Sequence, residues 1–150
     1  MLTVTRQILV SAPKESVKLY LGDLARMAEY EKKIEKVELN GSAVDVQGRF
    51  LGLKWRGSMT PEITADGGYR GEMFAGPLSR MTLGYHLRAV PGGTIITHEE
   101  QYQFSLPLRP FAFAFRNWVT QSMDKELGVI KEGAEALNRQ IQLKKIESIS

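Results

Sequence analysis

The spacing of hydrophobic side chains changes period three times along this chain. Residues 3–10 alternate, with Val4, Ile8 and Val10 apolar and β-branched residues frequent, which predicts a strand. Pro13 suits the first turn of a helix, and Val17, Tyr20 and Leu21 follow at helical spacing until Gly22. Asp23 is placed to cap a second short helix, on which Leu24, Met27 and Tyr30 keep that spacing through Lys33.

From Ile34 the period drops to two, and turn residues punctuate it at Asn40-Gly41, Asp66-Gly67-Gly68, Gly76-Pro77 and Pro91-Gly92-Gly93. The predicted strands cover 34–39, 43–51, 54–64, 69–74, 79–90 and 94–106. A two-residue loop at Asn40-Gly41 would pair Val37 with Val44 on one face. After Pro107 and Pro110 the helical period returns. Phe115, Trp118, Val119, Ser122, Met123, Glu126, Ile130, Ala134, Leu137 and Ile141 share one face, and Lys131, Glu135 and Arg139 line the other. The closing residues 143–150 have no partner pattern and are expected to fray. With no repeat, low-complexity segment or linker, 150 residues read as one domain.

One strand, two short helices, six hairpin strands and a long helix resolve into an α+β fold. Its seven-stranded curved antiparallel sheet carries the helices on one face, and the long helix buries its stripe on the concave side. The segment ILVSAPKESVKLYLGDL, the turn and strand PGGTIITHEEQYQFSLP and the terminal helix together carry a likeness. In this the chain resembles the START/Bet v1-like (SRPBCC) superfamily, specifically its polyketide cyclase/dehydrase-like group. The resemblance implies a helix-grip fold, its sheet wrapped around the C-terminal helix with a cavity between them. Its motifs are structural and specify a fold far more than an activity.

Composition narrows the chemistry. At 43% hydrophobic and 25% charged residues the chain is ordinary for a globular domain. The absence of cysteine excludes disulfides, thiolate zinc sites, cysteine nucleophiles and iron–sulfur clusters. Two histidines cannot build a His-rich centre, so neither a metal nor a cofactor is predicted. The net charge of +3 is dispersed, which gives no reason to expect DNA as a partner although the pI is near 9.2. No apolar run approaches the roughly eighteen residues of a membrane span, and the N-terminus lacks a signal pattern, so the cytoplasm is the expected location.

Alternation also assigns strand faces. In 79–90 the apolar set is Met81, Leu83, Tyr85, Leu87 and Ala89, leaving Arg80, His86 and Arg88 outside without a role. In 94–106 the inner set is Ile96, His98, Glu100, Tyr102, Phe104 and Leu106. A four-residue loop from Pro91 to Thr94 would then put Leu87 opposite His98 and Tyr85 opposite Glu100, within donating reach. Arg6 falls on the inner face of the first strand. Because the resembled fold sets that strand beside the last one, Arg6 is the candidate partner for Glu100.

An inward carboxylate needs a partner, since unpaired burial of even a neutral polar group costs roughly 1–3 kcal/mol. Arg6, Tyr85, His98, Glu100 and Tyr102 form either a patch that orients a ligand's oxygens or an internal network with no chemical role. Trp55 shares a face with Met59 and Ile63, as a ligand wall or a core aromatic. Trp118, with Phe111, Phe113 and Phe115 before it, either lids a cavity mouth or docks the helix. Gly128 and Gly133 leave room for a ligand or for close packing. The candidate ligand-binding residues are thus Arg6, Trp55, Met59, Tyr85, Leu87, His98, Glu100, Tyr102, Trp118 and Ser122. Glu99 and Glu100 point to opposite faces and cannot work as a pair. GRFLGLKWRG and GGYRGEMFAG lack the setting of phosphate loops, and no Ser-His-Asp arrangement is evident.

The first functional expectation is binding or transport of a hydrophobic or amphipathic small molecule, such as a lipid, quinone or polyketide-like compound. The alternative, implied by the resemblance, is a cyclase/dehydratase in which His98 moves a proton, Tyr85 or Arg6 polarises a carbonyl and Glu100 holds the histidine. A further alternative is a ribosome- or protein-interaction module, as some relatives in the superfamily resemble. Oligomeric state is not encoded in these patterns.

Overall fold

The computed structural model describes residues 1–50, 52–75, 78–104 and 106–149. The turn expected at Gly76-Pro77, the strand end at residue 51 and the inward side chain of Leu106 lie outside the described residues. Strand β1 (Leu2–Val10) leads into α1 (Lys14–Gly22), a 3-10 turn (Leu24–Arg26) and α2 (Met27–Tyr30). The meander follows as β2 (Ile34–Asn40), β3 (Ala43–Phe50), β4 (Leu53–Met59), β5 (Glu62–Ile63), β6 (Tyr69–Ala75), β7 (Leu78–Val90) and β8 (Gly93–Phe104). A second 3-10 turn (Leu106–Phe111) enters the 38-residue α3 (Ala112–Ile149).

The strands pair antiparallel in the orders β1-β8-β7-β6-β5 and β2-β3-β4. β4 flanks β6, and Met59 packs where a side chain on Gly71 would otherwise sit, so the two ladders form one curved antiparallel wall. Among the described residues there are eight strands against the seven expected, because the segment 54–64 breaks at Thr60-Pro61, where proline has no N–H for the ladder. Ile63 therefore leaves the face of Trp55 and Met59 and is exposed.

Two hairpins differ from expectation by a slip of two residues. The first turn is Gly41-Ser42, so Val37 pairs with Val46, and Val44 with Leu39. The last is Pro91-Gly92, with Gly92 at φ 88°, the left-handed position that a Pro-Gly turn requires. Leu87 consequently faces Ile96, Tyr85 faces His98 and Leu83 faces Glu100. A slip of two keeps every side chain on its face, so the inward set Met81, Leu83, Tyr85 and Leu87 is buried as expected, although Ala89 is exposed.

The second helix is shorter than its spacing suggested. Asp23 makes no capping bond and instead pairs with Arg26 at 3.0 Å. The α-helix proper ends at Tyr30, and Glu31 turns extended. α3 packs its stripe of Phe115, Val119, Ser122, Met123, Glu126, Leu127, Ile130 and Ala134 against β1, β8, α1 and α2, and runs on with an exposed surface from Gln142 to Ile149. Gly133 serves close packing: a side chain there would overlap the ring of Tyr20 on α1, whereas Gly128 faces open space. The interior between sheet and α3 is rich in Tyr20, Tyr30, Tyr69, Tyr85, Tyr102 and buried methionines. Among the described residues no helix is long and apolar enough to cross a membrane.

Candidate functional site

Five ionisable side chains meet in this interior: Glu31, Lys33, His98, Glu100 and Glu126, none more than 5% exposed. Three parts of the chain deliver them. Strand β8 alternates with inward Thr94, Ile96, His98, Glu100 and Tyr102, all buried. On α3, Glu126 occupies the apolar stripe between Met123 and Ile130. The connection from α2 to β2 supplies the rest: Glu31 N–H bonds Met27 O at 2.9 Å and Ile34 N–H bonds Glu31 O at 2.9 Å. That turn aims Glu31 and Lys33 inward and leaves Lys32 outside. Gly48 on β3 makes the approach possible, since a β-carbon there would overlap the carbonyl of Lys33.

Lys33 Nζ lies 2.7 and 3.0 Å from the two oxygens of Glu100, 3.3 Å from Glu126 Oε1 and 3.8 Å from Glu31 Oε2. Glu100 also accepts from Tyr102 Oη at 2.5 Å, and its Oε1 is 3.3 Å from His98 Nε2. Tyr85 Oη donates to Glu31 Oε1 at 2.6 Å, and Ser122 Oγ donates to Glu126 Oε1 at 3.1 Å. His98 Nδ1 donates to the carbonyl of Gly84 at 2.8 Å, because a carbonyl can only accept. This leaves Nε2 aimed at Glu100, Glu126 at 3.5 Å and Glu31 at 3.8 Å.

Burial and charge move these groups in different directions. Burial, reinforced by repulsion from Glu126, pushes the Glu31 carboxyl up to about 8. Burial acts the same way on Glu100, but the attraction of Lys33 and His98 outweighs it and holds Glu100 well below the usual carboxylate range. For His98, burial opposes the charged ring, and the Glu100 and Glu126 carboxylates that face Nε2 overcome it, raising the group to about 10. Lys33 is likewise held charged against burial, first by Glu100.

The expected partner for Glu100 is thereby corrected. Arg6 lies opposite His98 on edge strand β1, and its guanidinium runs out past α3 to a bidentate, half-exposed pair with Asp124, at 2.7 and 3.0 Å. A long side chain on an edge strand reaches water at little cost, and the buried ammonium of Lys33 takes its expected place. Tyr85 touches Glu31 instead of Glu100.

Tyr85, His98, Glu100, Tyr102 and Ser122 are brought together with Glu31, Lys33 and Glu126, while Arg6, Trp55, Met59 and Leu87 stand apart from these contacts. Trp55 is opposite Gly48 on β4 and lines an outer hollow of about 490 Å³ with Gln47 and Arg56. Trp118 packs on Phe115, which docks α3 edge-on against Tyr102 and Phe104. Phe111 and Phe113 are exposed. Beside them a cavity of about 540 Å³ opens where α3 meets β1 and β8, lined by Leu2, Phe104, Ala112, Phe113 and Arg116. His86 is on the outer surface, within 3.3 Å of Asp66. Of the residues that no role was expected for, Glu126 carried a signal, a carboxylate on an apolar helical stripe. Glu31 and Lys33 carried none, since the helical spacing read through Lys33 gives way after Tyr30 to an extended turn that sets their direction.

A curved antiparallel sheet gripping a long C-terminal helix is the fold of the START/Bet v1-like class. Residues 1–135 match the family model described as polyketide cyclase/dehydrase and lipid transport, and the chain belongs to that family. The START superfamily protein from Mycobacterium smegmatis superposes with a TM-score of 0.68 at 11% identity, over 93% of this chain and 98% of that one. The Zhui aromatase/cyclase from Streptomyces sp. R1128 gives 0.69 at 16% identity, over 89% and 93%. A conserved protein from Geobacillus kaustophilus gives 0.76 at 12% identity, over 89% and 95%. At such identities these likenesses establish the fold. No curated protein matches the sequence.

Proposed function

We propose that this protein binds a hydrophobic or amphipathic small molecule, such as a lipid, quinone or polyketide-like compound, between the sheet and α3, with the buried polar cluster addressing its oxygen-bearing end. The observation that carries this reading is the burial of Glu31, Lys33, His98, Glu100 and Glu126 together under α3. A buried ionic network is a poor source of stability, since well-packed apolar residues of similar volume often do as well or better. Ionisable groups kept convergent in a core at that cost mark a recognition site. The hollow of about 540 Å³ supports the approach of an amphipathic molecule: Gln103, Arg109 and Arg116 line it beside Phe104 and Phe113, and Phe104 packs through Phe115 onto Tyr102, which holds Glu100. Entry requires these side chains, or α3 itself, to give way. The family's description and its aromatase/cyclase neighbour favour the same class of ligand.

Native mass spectrometry of freshly purified protein tests the reading. An apolar molecule released on denaturation is expected, retained less by His98→Gln and Glu126→Gln than by His86→Ala. An empty chain that also ignores added fatty acids, quinones and aromatic polyketides would overturn it.

A second reading, a cyclase/dehydratase, is favoured by one contact. Tyr85 donates to Glu31 within reach of His98 Nε2, a short path for a proton beside a carbonyl. Turnover of a linear poly-β-ketone by the wild-type chain, abolished in Glu31→Gln, would establish it.

A further inference from the structure

The four side chains Glu31, His98, Glu100 and Glu126 each offer a donor atom, and these atoms all lie within 4.8 Å of one another. Donors about 2.1 Å from a shared ion lie about 3.4 Å apart in a tetrahedron and about 4.2 Å apart when opposed in an octahedron. The cluster is thus close to the size of a coordination shell.

Proximity of carboxylates alone would mean little, but two further features point inward. Glu31 Oε2 and Glu126 Oε2 are buried and have no donor in hydrogen-bonding geometry, their nearest being Lys33 Nζ at 3.8 Å and His98 Nε2 at 3.5 Å. Such orphaned carboxylate oxygens are costly in a core and call for a cation or a donor. In addition, each of the four groups is held from behind by a partner outside the set. Gly84 O takes His98 Nδ1–H, Tyr85 Oη holds Glu31, Tyr102 Oη holds Glu100 and Ser122 Oγ holds Glu126. This is how metal-ligating groups are oriented: the histidine gives its far N–H to a carbonyl, and the carboxylates are themselves hydrogen-bonded.

We propose that Glu31, His98, Glu100 and Glu126 bind one divalent first-row metal ion. Charge agrees once the ion displaces the protons of His98 Nε2 and Glu31: three carboxylates are then balanced by the ammonium of Lys33 together with a dication. One imidazole with three carboxylate oxygens and no thiolate selects zinc, manganese or ferrous iron over softer ions. The inference stands on this geometry and not on the ligand-binding reading.

The test uses the full chain, stripped with a chelator and refolded with or without Zn²⁺, Mn²⁺ or Co²⁺, with no small molecule added. Equilibrium dialysis is expected to show one ion per chain and a raised melting temperature, and Co²⁺ should give visible ligand-field bands. Glu126→Gln and His98→Gln should each weaken the ion at least tenfold, with His86→Ala unchanged. Should the variants not fold, imidazole ¹⁵N shifts in the wild type decide, since Zn²⁺ must move His98 Nε2 and leave His86 alone. A wild-type chain that takes up less than a tenth of an equivalent, or that binds through His86, overturns the proposal and leaves Lys33 as the cluster's own cation. Neither result bears on whether an apolar molecule co-purifies, so the two readings fail separately.

Discussion

The ring of Tyr85 lies flat on the imidazole of His98, with centroids 3.9 Å apart and planes within 6° of parallel. The stack follows from register, since the two residues are direct partners across β7 and β8. It fixes the imidazole plane, so that Nδ1 meets the Gly84 carbonyl and Nε2 meets the carboxylates. Tyr85→Phe keeps the stack and removes the donor to Glu31. Leaving a buried carboxylate oxygen unserved should cost about 1–3 kcal/mol in chemical denaturation, and Tyr85→Leu should cost more. Equal losses would mean that the stacked ring contributes nothing beyond its hydroxyl.

Lys33 and Arg6 offer a contrast between buried and exposed ion pairs. Lys33→Met strands Glu100 and Glu126 without their cation and is expected to destabilise by about 3–5 kcal/mol. Arg6→Ala breaks a pair with Asp124 that is nearly half exposed, and should leave the denaturation midpoint close to that of the wild type. The double variant Lys33→Met/Glu100→Leu should recover part of the first loss. Similar effects at both basic positions would contradict the assignment of Lys33 as the cation of the core.

Stability of the metal-free chain should be greatest in mildly acidic solution. Glu100 titrates lower in the folded chain than its ordinary 4.5, so its contribution is complete above that pH and is lost as pH falls. Glu31 titrates higher, near 8, and its contribution declines as pH rises from 4.5 through 8. His98 behaves alike between 6.5 and about 10. Thermal melts in chelator-treated buffer should therefore fall steadily from pH 6 to pH 10, and a flat profile over that range contradicts the assignment.

The two helix glycines should respond oppositely to alanine. Gly128→Ala meets open space and should stabilise α3 by up to about 1 kcal/mol. Gly133→Ala drives a methyl group into Tyr20 and should destabilise, visible as melting-temperature shifts of opposite sign.

The last turns of α3, from Gln142 to Ile149, are exposed throughout. That exposure predicts amide exchange over residues 143–149 far faster than around Val119–Ala134, as mass spectrometry of deuterated peptides would read.

Much of this protein is written in its periodicities. The strands, the long helix and the inward faces of His98, Glu100 and Tyr102 follow from alternation, because a buried face repeats every second residue on a strand and every three to four on a helix. Even Glu126 stands out as a carboxylate on an apolar stripe. Period two is nevertheless blind to a slip of two residues. Asn40-Gly41 and Pro91-Gly92 mark turns, but only the packed sheet set which residues close them, and so put Tyr85 on His98 instead of opposite Glu100. Nor does periodicity reach turns. Glu31 and Lys33 lie in a short aperiodic connection whose direction depends on Gly48 of another strand, and Arg6 escapes to solvent because β1 is an edge. Local spacing decides which face a residue takes, whereas the partner it meets there depends on long-range closure, the one quantity that no stretch of sequence contains.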